Sequence, residues 1–267
     1  MTTTDQRPAY VPLPRLAPLV AESTFVHRSL LHTVRTPDAL IMAIALPVIL
    51  MLMFTFVFGG AIDPGGDYVN YVVPGIVLLC AGFGAASVAV DVASDITTGI
   101  IDRFRTMPLR ASAVITGHVV ASLARNLVAT AIVVSVAVGV GFRPTASPLE
   151  WLAMFALVAL YILAITYLFA AIGLAASSPE AANGYGFVLL FLPYISSAFV
   201  PVDTLPTWLQ WIAEYQPLTP IIETIRALLL GADVGPTVWA ALAWCAVILV
   251  GAVGWTGWLF RRRAGRR

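Results

Sequence analysis

The chain has 267 residues, 60% of them hydrophobic and 11% charged, with a formal net charge of +1. A soluble domain carries about 25% charged residues, so a water-facing surface is excluded at this length, and the near-neutral balance offers nucleic acid no bulk basic surface. All fifteen basic residues are Arg. A Walker A loop needs a Lys to reach the phosphates, which excludes P-loop ATP hydrolysis by this chain.

In chain order, residues 1–18 are broken by Pro8, Pro12, Pro14 and Pro18 and lack a signal-peptide h-region. They are expected to be a disordered cytoplasmic tail. Residues 19–36 follow as an amphipathic interfacial helix. At 100° per residue, Leu19, Val20, Val26, Leu30, Leu31 and Val34 share one face, with Arg28, His32 and Arg35 opposite. Pro37 ends it, and Asp38 is placed to cap the next helix.

Residues 37–260 predict an all-α membrane domain. A spanning helix needs roughly 20 apolar residues. Six stretches qualify, near 39–59, 70–90, 113–141, 150–176, 182–200 and 237–260. The fifth is the shortest and carries Asn183, Tyr185 and Tyr194. Arg7, Arg15, Arg28 and Arg35 precede the first stretch; Arg103, Arg105 and Arg110 follow the second; Arg261, Arg262, Arg263, Arg266 and Arg267 follow the sixth. Six spans place all three groups on one side. The positive-inside rule makes that side the cytoplasm, holding both termini and the basic tail 261–267. Residues 201–236 form the longest outer segment. Leu205, Trp208, Leu209, Trp211 and Ile212 recur at helical spacing, as do Ile221, Ile222, Ile225 and Leu229. This predicts two short re-entrant helices split at Pro217 and Pro220, with Trp208, Trp211 and Tyr215 at the interface.

Catalytic patterns are absent from the sequence. There is no HExxH, no GxSxG and no Cys/His metal spacing; Cys80 and Cys245 lie in apolar runs as small hydrophobes. Arg125 falls one to two turns inside the third span, beside Asn126. Two readings are open for it, a functional intramembrane charge or a side chain snorkelling to the headgroups. His118 reads as a satisfied polar residue. Phe54, Phe56 and Phe58 in the first span, Phe83 in the second, and Tyr194, Ser196, Ser197 and Phe199 in the fifth would suit an amphiphile path or plain packing against lipid and helices. Gly82, Gly84, Ala85, Ala86 and Ser87 permit close helix approach, within the chain or across a seam between two copies.

The most informative stretch is Asp91 to Pro108, on the cytoplasmic side after the second span. Wound as a helix, Val92, Ile96, Ile100, Phe104 and Met107 share a face, while Asp91, Asp95 and Asp102 gather on another. An ordinary amphipathic loop and a lever pressed into a partner protein both fit that spacing. The string Gly99-Ile100-Ile101-Asp102-Arg103-Phe104-Arg105-Thr106-Met107-Pro108 resembles the coupling region of ABC-2 type exporter permeases, nearest to the drug-resistance subgroup. Leu205-Pro206, Pro217-Leu218 and Arg226 resemble the signature before the family's last span, with Pro220 departing from its usual polar or basic residue.

The resemblance implies a permease subunit in a bacterial plasma membrane. It would pair with a second permease, identical or homologous, and with two copies of a separate ATP-binding subunit. ATP and Mg would then sit on that partner, with no cofactor on this chain, which is not itself an enzyme. Asp91, Asp95, Gly99, Ile100, Asp102, Arg103, Phe104, Met107 and Pro108 would couple to the ATPase. Phe54, Phe58, Phe83, Tyr194, Ser197 and Phe199 would line the substrate path. The expected cargo is a hydrophobic or amphiphilic molecule, drug-like or lipid, moved outward. A polysaccharide precursor as cargo, and an intramembrane enzyme, are the alternatives.

Overall fold

The computed structural model describes residues 37–63, 65, 67–98 and 112–264. The expected tail (1–18), the surface helix (19–36) and residues 99–111 lie outside the described residues. Of the expected coupling residues, Gly99, Ile100, Asp102, Arg103, Phe104, Met107 and Pro108 therefore fall outside, and Asp91 and Asp95 inside.

Among the described residues the fold is helical throughout, without strands. Helix α1 (Pro37–Leu52) runs into a π-helical turn, Met53–Phe58, and a last short turn, α2 (Gly59–Ile62). Helix α3 (Tyr68–Thr97) and helix α4 (Ser112–Val140) follow. Helix α5 (Pro148–Ala175) begins at a capping box. Ser147 and Glu150 satisfy each other's backbone N–H, and Pro148 occupies the first helical position, where no N–H is needed. Helix α6 (Pro179–Leu189) opens the same way, with Ser178 Oγ accepting from the Ala181 N–H. Helices α7 (Thr207–Tyr215), α8 (Leu218–Leu230) and α9 (Thr237–Ala264) complete the chain. Helix α8 stops at Gly231, whose φ of 65° is the left-handed cap that glycine adopts without strain.

Among the described residues, five helical stretches are long and apolar enough to cross a membrane: Ile44–Ile62, Tyr68–Thr97, Ile115–Val140, Pro148–Ala175 and Thr237–Leu259. The segment expected as the fifth span, 182–200, is not one long helix. It consists of most of α6, a 3-10 turn at Leu192–Ile195, and a non-helical run to Pro201. Pro193 accounts for part of the break, since it cannot donate into a continuing helix.

That broken segment lies antiparallel along α3. Ala182 packs in one cluster with Ala89 and Ala93, near the C-terminal end of α3. Leu190 lies against Gly82, Ala198 against Gly75, and the Phe199 carbonyl accepts from the Tyr68 hydroxyl at 2.8 Å, at the helix's first residue. At about 1.5 Å per residue, Tyr68 to Ala93 covers roughly 37 Å of helix, more than the ~30 Å of a hydrocarbon core.

Helix α3 is the hub. Its most apolar window is 72% buried inside the chain, against 17% for the first and last spans, whose outward sides are left to lipid or another protein. Glycines set how closely neighbours approach it. A Cβ on Gly173 of α5 would sit 2.4 Å from the Ala89 carbonyl oxygen, and one on Gly84 would sit 1.5 Å from Asn126 Oδ1 of α4. The small residues of α3 thus serve packing within the chain.

Candidate functional site

Three groups of residues on α3 and its neighbours carry the chemistry. The first lies toward the end of α3 that leads to residue 99. Asp95 Oδ2 sits 2.8 Å from His118 Nε2 on the second turn of α4, tying the two helices that flank residues 99–111. Further along, Arg125 donates to the Ser87 hydroxyl at 2.8 Å and the Gly84 carbonyl at 3.3 Å, and Asp91 acts on it electrostatically. Arg125 therefore ties α4 to α3. Beside it, buried Asn126 donates to Ser122 Oγ, which lies 3.3 Å from Thr166 Oγ1 on α5. Hydroxyls and one guanidinium thus bind α3, α4 and α5 where their apolar faces alone would permit sliding.

The second group is an aromatic file. Phe58 lies 5.6 Å (ring centroids) from Phe54, Phe54 stacks on Phe199 at 4.3 Å, and Phe199 stacks on Tyr194 at 5.1 Å. From Tyr194 the file continues to Phe191 at 6.0 Å and Phe187 at 5.1 Å beyond. Phe199 is 4% exposed at its centre, while Phe187 (56%) and Phe191 (52%) open outward. Of the expected path residues, Phe54, Phe58, Tyr194 and Phe199 are brought together. Ser197 is buried beside Phe199, with no hydrogen-bond partner for its hydroxyl among the described residues. Phe83 packs instead on the edge of the main core, without a ring contact to the file among the described residues. Phe187 and Phe191 were missed by sequence reasoning, although with Tyr194 they recur at spacings of four and three.

The third group supplies donors to the carbonyls of the broken segment. A non-helical carbonyl in hydrocarbon needs a donor from the protein. Gln216 Nε2 donates to the Ile195 carbonyl at 3.0 Å and the Leu192 carbonyl at 3.4 Å. Arg226 Nη2 donates to the Ser197 carbonyl at 2.8 Å, and Tyr68 covers that of Phe199. Ser196 Oγ accepts from the Ala198 N–H and donates to the Pro193 carbonyl. Arg226 also donates to the Tyr71 carbonyl at 3.0 Å, pairs with Glu223 at 2.6 Å, and lies 3.9 Å over the Tyr71 ring. Helix α8 is thereby locked to α3 and to the broken segment at once. Arg226 was singled out by the sequence; Gln216 and Tyr68 were not, because their partners are backbone carbonyls far away in the chain, and Tyr71 was not, because its partner is the Arg226 guanidinium 155 positions on.

This architecture defines a multi-pass membrane protein whose core is a helix hub with a stapled, interrupted neighbour. The chain belongs to the ABC-2 type transporter family, whose profile matches residues 22–230. It is similar to a daunorubicin resistance ABC transporter permease protein of Streptomyces coeruleorubidus, 29% identical over 85% of this chain and 79% of that one. It is also similar to a probable doxorubicin resistance ABC transporter permease protein of Mycobacterium tuberculosis, 25% identical over 94% of each chain.

Proposed function

We propose that this chain is the permease subunit of an ATP-driven exporter that moves hydrophobic or amphiphilic molecules outward across a bacterial plasma membrane. The observation that carries the reading is the aromatic file from Phe58 to Phe187, buried at Phe199 and exposed at both ends. Stacked rings with one phenol and few charges favour flat or greasy cargo over glycans. Similarity to drug-resistance permeases points the same way.

In this reading the chain crosses the membrane six times, with the broken segment as the fifth crossing. Its antiparallel run along the length of α3 supports that count, and the arginine distribution supports cytoplasmic termini. Helices α7 and α8 then re-enter from the outer side. Residues 91–108 lie on the cytoplasmic side, where they engage a separate ATP-binding subunit present in two copies. ATP and Mg act there, and a second permease completes the path. The Asp95–His118 pair would transmit motion of that stretch into both α3 and α4.

The test is reconstitution of this chain with the ATP-binding subunit that co-purifies with it. ATP hydrolysis and uptake into inverted vesicles are measured against a panel of lipids and aromatic amphiphiles. Stimulation by amphiphiles, lowered severalfold in Phe54→Ala and Tyr194→Ala, is the expected outcome. A complex that transports no amphiphile, or whose ATPase ignores all of them, refutes the reading.

A further inference from the structure

A cavity of about 470 Å³ opens where the π-helical turn, α2, the start of α3 and the end of α4 meet. It lies at the Tyr68 end of α3, which is the outer end if the export reading and its topology hold. Its volume falls within the usual range for small-molecule pockets, about 300–1,000 Å³. Sequence dictates the space. The π turn displaces Thr55 and Phe56 from α-helical register, and two glycines, Gly59 and Gly60, follow with no side chains to fill it. A Cβ on Gly60 would meet nothing within 4 Å. Single π turns within helices frequently mark functional sites.

The lining has a definite polarity. Asp63 supplies a half-buried carboxylate, with one oxygen accepting from the Gly65 N–H at 3.0 Å. Thr55 Oγ1 is buried and has no hydrogen-bond partner among the described residues. Phe56 and Tyr68 give aromatic walls, and the Tyr68 hydroxyl is already committed to Phe199. Among the described residues, no basic side chain lines the space. Nearby Arg143 is turned to the Val138 and Phe142 carbonyls at the end of α4. One carboxylate and two rings complement a cation joined to an apolar body.

We propose that this cavity binds an ammonium-bearing amphiphile. The cation pairs with Asp63, and the apolar body lies on Phe56 and Tyr68. The same chemistry is offered by a transported amine and by the headgroup of phosphatidylethanolamine.

The test uses the full chain in nanodiscs of digalactosyldiacylglycerol, an uncharged bilayer lipid with no ammonium group. Fluorescence anisotropy follows a nitrobenzoxadiazole-labelled alkyl amine and its N-acetylated counterpart, with empty discs as background. A charge-assisted contact at a half-buried carboxylate should favour the amine by about tenfold. Asp63→Asn should remove that preference and leave the affinity for the acetylated probe unchanged. Gly60→Leu should weaken both probes by filling the space, and thermal unfolding confirms that each variant is folded. Equal binding of the two probes by the wild-type chain overturns the proposal, as does a preference that survives in Asp63→Asn. Displacement of the amine by added phosphatidylethanolamine assigns the site to the lipid, and failure to displace it assigns the site to a non-lipid amine; both keep the ammonium chemistry. A complex that exports nothing, while the Asp63-dependent preference persists, removes the export reading and leaves the site.

Discussion

Arg226→Gln probes the staple that holds the broken segment. The Arg226 side chain is 12% exposed and gives up four contacts in this variant. The Ser197 carbonyl, in a non-helical run, loses its donor at 2.8 Å, which costs about 1–3 kcal/mol for a buried acceptor left unpaired. Loss of the charged donor to the Tyr71 carbonyl adds about 1 kcal/mol, and loss of the cation over the Tyr71 ring adds about 0.5–2 kcal/mol. Glu223 is 41% exposed, so its pairing adds little. The sum is roughly 2.5–6 kcal/mol. At about 2–4 °C per kcal/mol for a chain of this size, Tm in detergent should fall by at least about 5 °C. Arg226→Lys keeps a charge without the planar fork and should recover only part of the loss. The assay is thermal unfolding followed by fluorescence-detected size exclusion, with membrane insertion checked separately. A Gln variant within about 2 °C of wild type would refute the view that this side chain staples the segment.

Gly84→Val should prevent the close approach of α3 and α4, because its Cβ would fall 1.5 Å from Asn126 Oδ1; yield of monodisperse protein should collapse, and adding Asn126→Ala should restore part of it. His118→Ala should leave insertion intact and lower amphiphile-stimulated ATPase in the reconstituted complex, since it cuts the Asp95 tie between the helices flanking residues 99–111; unchanged stimulation would dismiss that tie as a transmission element. Phe104→Ala or Asp102→Arg should likewise lower stimulated ATPase while the chain still inserts, and wild-type coupling in both would remove residues 91–108 from that role. Cysteines placed at residues 3 and 266 should both react only after the cytoplasmic face is opened to an impermeant maleimide; labelling of one from outside would contradict six crossings.

The helices were legible in the sequence because hydrocarbon demands long apolar runs, and α1, α3, α4, α5 and α9 supply them. The fifth segment was legible as apolar and as the shortest, but not as broken. Nothing local to residues 182–200 says that Gln216, Arg226 and Tyr68 will supply donors to its carbonyls. Tyr68 and Phe199 are 131 positions apart, and a hydrogen bond to backbone leaves no residue-type signature at the accepting end. The π turn at Met53–Phe58 was equally hidden, since five of its six residues are apolar and the run fits either helical period. Arg125 was visible as an anomaly, but its partners, Ser87 and a glycine carbonyl, were not.

Two of the hidden features share a physical origin. The broken segment and the Arg125 tie place polar groups at depth in an apolar bundle, and both are secured by a side chain from a different helix. Such ties are two-ended. Arg226 contacts α3 through Tyr71, the broken segment through Ser197, and its own helix through Glu223, so no one of these elements shifts without the others. A permease must change shape along its path, and a continuous helix resists bending in proportion to its hydrogen bonds. A segment already broken, with its carbonyls held by exchangeable side-chain donors, can trade partners without exposing an unpaired group to lipid. The aromatic file is built on that segment and on the π turn facing it, the two places in the described bundle where the regular helix has been given up.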